Sequence, residues 1–77
     1  MRREELQVLR EDIIYFEKRH TFIEQLPYEM KLMLINALEW WKQITNDDID
    51  IYECMNEKLW CAIDWLDYIL DNAQFED

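Results

Sequence analysis

The chain has 77 residues, with 18 acidic side chains against 8 basic ones and a formal net charge of −10. It is therefore one small domain, whose field repels nucleic acid and anionic membrane and draws in basic surfaces. Gly is absent, Pro occurs once and 51% of the residues are hydrophobic, which excludes a fold built on tight hairpins and an intrinsically disordered chain.

The first predicted helix covers residues 3–25. Leu6, Leu9, Ile13, Phe16, His20 and Ile23 recur at spacings of three and four, the signature of one apolar helix face. Val8, Tyr15 and Phe22 form a second stripe, about 100° round the helix. Together they make a face wide enough to touch two neighbours. Either both are helices of this chain, or one belongs to a second copy, so Val8, Tyr15 and Phe22 are candidate dimer contacts. The only histidine, His20, reads as a core or helix-end residue.

Leu26-Pro27 separates the first helix from the second. The residue before Pro is pushed out of the α region, whereas Pro suits a first helical turn. The second predicted helix covers 27–44. Met30, Met33, Leu34, Ala37, Leu38, Trp40, Trp41 and Ile44 fall in an arc of about 160°. Leu32 and Ile35 lie outside that arc and, with Trp40, are further candidate dimer contacts.

Thr45–Asp48 has turn chemistry. Asn46, Asp47 or Asp48 can cap a third helix, and Asp50 adds negative charge to its first turn. That helix is expected over 48–72, with a fraying tail over 73–77. The fold class read from the sequence is thus all-α, a three-helix antiparallel bundle. Four Trp, four Tyr, three Phe and four Met are a heavy apolar load for a domain that buries only about 60% of its unfolded surface. A homodimer is therefore expected.

The third helix carries the strongest signal. At 100° per residue, Ile51, Tyr52, Met55, Leu59, Ala62, Ile63, Leu66, Ile69, Leu70 and Ala73 share a core face. Asp50, Glu53, Glu57, Asp64, Asp67 and Asp71 share a separate arc of about 100°, with no cation among them. Like charges one turn apart cost about 0.2–0.5 kcal/mol per pair, as at Glu53–Glu57 and Asp67–Asp71. A helix that tolerates this repulsion suggests a use for the charge. Asp47 and Asp48 extend the row past the loop. Trp60 falls inside the acidic arc and Tyr68 at its edge. Trp60 is either the anchor of a binding surface or a ring covered by another part of the protein.

The remaining chemistry is sparse. Cys54 and Cys61 are seven residues apart, about 10.5 Å along one helix, too far for a mutual disulfide. Reduced thiols and a cytoplasmic location are expected. No Cys-His spacing suggests zinc, and "DDIDIYE" lacks the Gly and distal Glu of a calcium loop. No phosphate loop or nucleophile–His–Asp set is present. The expectation is a non-enzymatic protein with no metal, no cofactor and no membrane span.

A tiny, acidic, aromatic-rich helical chain with a short basic start ("MRREEL") resembles the small inhibitors that bacteriophages make against host DNA-binding proteins. Several of these are similar to DNA in charge layout. The resemblance covers the whole chain by size and charge, and implies a partner with a basic nucleic-acid channel rather than nucleic acid itself. Among such targets are a replication sliding clamp, a CRISPR effector, RNA polymerase, a nucleoid protein and a repair glycosylase. A clamp pore, basic and wide enough for a duplex, matches the expected size best. The acidic row from Asp47 to Asp71, with Trp60 and Tyr68, is the corresponding binding surface. The opposing expectation is an adaptor or assembly module working through Leu32, Ile35 and Trp40.

Overall fold

The computed structural model describes residues 1–16 and 21–75. Four helices carry the described chain. They are α1 (Arg3–Phe16), α2 (Tyr28–Thr45), the single-turn α3 (Ile51–Cys54) and α4 (Leu59–Asn72), with a 3-10 turn at Ile23–Gln25. The class is all-α, but the expected third helix over 48–72 is two helices.

Helix α1 opens with Glu4 and Glu5 in its first turn, where carboxylates favour the amide end of the helix dipole. Its buried residues are Leu6, Leu9 and Ile13, the stripe read from the sequence. The expected run of helix to residue 25 does not hold. Phe22 is extended, with φ −81° and ψ 153°, and Leu26 leaves the 3-10 turn at φ −62° and ψ 149°. Phe22 therefore does not extend the Val8–Tyr15 stripe. His20, with Glu17 and Lys18, lies outside the described residues.

Pro27 sits one position before α2, where its missing N–H costs nothing. At the other end Asn46 takes the left-handed conformation, φ 62° and ψ 20°, and its N–H reaches the Lys42 carbonyl. Asn tolerates this conformation better than most residues, so Asn46 ends α2 rather than capping the next helix. That cap is Asp50, whose carboxylate accepts from the Glu53 N–H at 3.2 Å.

The break between α3 and α4 has a long-range cause. Two tight turns follow Cys54, with Asn56 N–H on the Glu53 carbonyl and Glu57 N–H on the Cys54 carbonyl. Lys58 is then extended, at φ −75° and ψ 158°, and bridges to Phe22. The Met55 and Glu57 carbonyls accept from Glu24 N–H (3.0 Å) and Ile23 N–H (2.8 Å), and Leu59 N–H donates to the Thr21 carbonyl (2.9 Å). Ile23 is buried, so its N–H needs a protein partner. The broken helix supplies that partner. The break also takes Glu53 and Glu57 off a common helix turn, which removes one of the repulsive pairs expected from the sequence.

The core draws on every segment: Leu6, Leu9 and Ile13 from α1, Leu34, Ala37, Leu38 and Trp41 from α2, and Leu59, Ala62, Ile63, Leu66 and Ile69 from α4. Ile23, Leu26, Ile49, Cys54 and Met55 close it from the connections. No polar or charged residue is buried among the described residues. Each fully buried Leu or Ile contributes about 1.5–3 kcal/mol, so packing rather than helix propensity holds the short helices. Helix α1 packs chiefly on α4. The tail, expected to fray over 73–77, is anchored as far as Phe75, which packs against the core and stacks on Trp40 at 5.6 Å, with the Arg3 guanidinium 4.8 Å from its ring. The molecule measures 33 × 25 × 19 Å.

Candidate functional site

The broken helix rearranges the acidic row. Glu53 and Glu57 no longer share an axis with Asp64, Asp67 and Asp71, so no single rod of six carboxylates exists. What forms instead is a groove between the α2–α3 connection and the first turns of α4.

One end of the groove is a depression of about 420 Å³ lined by Asp47, Glu57, Cys61, Asp64, Trp65 and Tyr68. A neighbouring one of about 320 Å³ shares Asp47, Glu57 and Trp65 and adds Asp48, Asp50 and Glu53. No Lys or Arg among the described residues lines either. Lys42 flanks the far side of Asp47 and Asp48. Six of the acids expected to bind a partner are thus brought round one concave surface, by loop geometry rather than by helical periodicity.

The others are placed elsewhere. Counting from Leu59 at 0°, Trp60, Asp67 and Asp71 fall between about 80° and 120° on α4, whereas Tyr68, Cys61 and Trp65 fall between about 180° and 240°. Trp60 is 54% exposed and lines neither depression. Asp67 is matched by a cation after all: Arg10 of α1 reaches across to it. Asp71 stays exposed near the end of α4, where it opposes the dipole. Tyr52, expected in the core, is 88% exposed, because α3 does not share α4's rotational phase.

The aromatic residue among the acids is therefore Trp65, together with Tyr68. Sequence reasoning passed over Trp65 and Cys61. Both sit beside the core arc of α4 on Tyr68's side, a relation that holds equally in one helix over 48–72, so periodicity alone could have found them. Tyr68 is half-exposed yet held from two sides, its ring edge-on to Trp41 (5.6 Å, 89°) and to Trp65 (6.2 Å, 90°). Its carbonyl accepts from the Asn72 side-chain amide at 2.7 Å.

The acids act on both thiols. Burial, then the charges of Glu57, Asp50 and Glu53, raise the Cys54 pKa above its ordinary value. Burial, then a hydrogen bond to the Glu57 carboxylate and the charges of Glu57 and Asp64, raise that of Cys61. A raised pKa keeps a thiol protonated and a poor nucleophile at neutral pH. No cluster of three or more His, Cys, Asp or Glu side chains among the described residues has the geometry to hold a metal ion. No described helix is long and apolar enough to cross a membrane.

Of the candidate dimer contacts, Val8, Tyr15, Phe22 and Leu32 are exposed, whereas Ile35 and Trp40 are partly covered by the chain's own core. No known protein family matches the chain, and no curated protein or solved structure is significantly similar to it.

Proposed function

We propose that this protein is a non-enzymatic inhibitor that docks its acidic groove on the basic nucleic-acid channel of another protein. The single observation that carries this reading is the gathering of Asp47, Asp48, Asp50, Glu53, Glu57 and Asp64 around one groove that no cation among the described residues lines. A groove lined by this many carboxylates steers a basic partner in from a distance and complements its charge. Strongly basic surfaces are built chiefly to hold phosphates, so a nucleic-acid-binding protein is the target class. The charge layout is a curved patch rather than a straight rod, so the mimicry of DNA lies in its charge density.

Within that class a sliding clamp is the leading target, because the cross-section normal to the long axis, 25 × 19 Å, is comparable to that of a duplex. An anti-CRISPR role or inhibition of a transcription or nucleoid protein requires the same groove. By its resemblance to bacteriophage inhibitors, the protein would act in a bacterial cytoplasm. A homodimer joined through Val8 and Tyr15 on α1 is part of this reading, and leaves the groove open.

A purified clamp tests it directly. Binding should weaken steeply between roughly 50 and 200 mM salt, as the opposed charges are screened. A variant with Glu53, Glu57 and Asp64 all changed to Lys should not bind. Tight binding by that variant sinks the acidic-groove reading. Binding that is salt-dependent but directed to another basic protein sinks only the clamp.

A second reading has its own observation. Tyr28 and Leu32 on α2 are exposed, with Ile35 beside them, as an adaptor helix would present them. Complexes held by that strip would be nearly indifferent to salt.

A further inference from the structure

We propose that the 420 Å³ depression beside Trp65 and Tyr68 is a socket for one arginine side chain of the protein partner. This rests on the acidic-groove reading and adds the residue type that the groove selects. The volume lies within the range of ligand pockets, about 300–1,000 Å³, and leaves room for a long side chain.

The wall and rim have different chemistry. Trp65, Tyr68 and Cys61 give an apolar wall with two aromatic rings. Asp47, Glu57 and Asp64 stand around it, from three separate segments: the loop after α2, the turn before α4, and α4 itself. A cation entering there meets carboxylates from several directions and aromatic rings alongside. A guanidinium fits both demands, since its flat face stacks on aromatic rings while its edge carries five N–H donors for carboxylates. An ammonium is a compact, strongly hydrated point charge that satisfies only the second.

The socket is also preformed. Tyr68 is fixed between Trp41, which is only 4% exposed, and Trp65. Glu57 is placed by its backbone, whose carbonyl is tied to the Ile23 N–H at 2.8 Å. Groups already ordered cost little entropy on binding. The helix break thus builds the rim, since in a continuous helix Glu57 would not face Asp47.

The test uses the full chain and two fluorescein-labelled probes of equal charge, hexa-arginine and hexa-lysine, read by anisotropy. Hexa-arginine should bind about five-fold tighter or more. Tyr68→Ser, which changes no charge, should bring the two probes within about two-fold of each other by weakening hexa-arginine alone. Asp64→Asn should weaken hexa-arginine by about five-fold, whereas Glu11→Gln, the same charge change on the outer side of α1, should stay within about two-fold. Asp64 is exposed, so its variant remains informative should Tyr68→Ser lose its fold.

Equal binding of the two probes by the wild type, still weakened by salt, overturns the socket and leaves the acidic groove standing. Failure of both probes to bind overturns both readings. Spermine matching hexa-arginine in affinity, with the same sensitivity to Tyr68→Ser, identifies a free polyamine as occupant and overturns the protein-partner assignment.

Discussion

Arg10 of α1 and Asp67 of α4 form a two-point contact across 57 residues of sequence, Nε to Oδ1 at 2.5 Å and Nη2 to Oδ2 at 3.5 Å. The side chains are 35% and 47% exposed, so solvent screens the pair. The cycle Arg10→Met, Asp67→Asn should give a coupling of about 0.5–1 kcal/mol, shrinking as salt is added. Urea unfolding of the four proteins measures it. Strictly additive single changes would mean that the contact does not form in solution.

Helix α4 begins without help. Its N-cap is Lys58, no side chain caps the first turn, and no acid lies in that turn. Lys58→Ser should therefore stabilise the fold by about 1 kcal/mol, the usual worth of an N-cap hydroxyl. The backbone at Lys58 is already extended, as a cap requires. A lower thermal midpoint for this variant would show that the Lys58 side chain has a structural use of its own.

Leu66 and Trp60 give opposite expectations on one helix. Leu66 is fully buried, and Leu66→Ala should cost about 2–5 kcal/mol. Trp60 is half-exposed, and Trp60→Ala should stay within about 0.5 kcal/mol. Denaturant titration compares them. A large, concentration-dependent loss for Trp60→Ala would mean that a second copy covers that ring in solution.

The helical class, the α1 stripe and the apolar faces of α2 and α4 are legible in the sequence because each rests on local periodicity. The break at Met55–Lys58 is not. Those residues are adequate helix formers, and what overrides them is backbone pairing with Thr21–Glu24, a contact about 34 residues away in sequence. The error propagated to the site. A single helix over 48–72 puts Trp60 among all six acids, whereas the break sets Glu53 and Glu57 beside Trp65 instead. Arg10 was equally invisible, since nothing local ties it to Asp67.

The two cysteines give a pH signature. Both pKa values are raised above the ordinary 9.0 in the fold, so the native state favours the protonated thiols. The stability this contributes is complete below pH 9 and is lost as pH rises through the folded-state values. Wild-type stability should thus fall more steeply above pH 9 than that of a Cys54→Ala, Cys61→Ala double variant, which lacks both groups. Parallel urea titrations across that range decide it, and identical slopes would refute the effect.

The pairing of Thr21–Glu24 with Met55–Leu59 also sets an order of assembly. Local helix forms in about 0.1–1 μs, and contacts across long loops form later. A chain released from denaturant should first wind residues 51–72 into one uninterrupted helix, then unwind a turn of it as the earlier segment docks. Stopped-flow far-UV dichroism should show this as an overshoot that relaxes to the native value. On the ribosome the order is reversed, since Thr21–Glu24 emerges first and is already waiting. Newly made chains would then bypass the overwound stage expected of refolding chains.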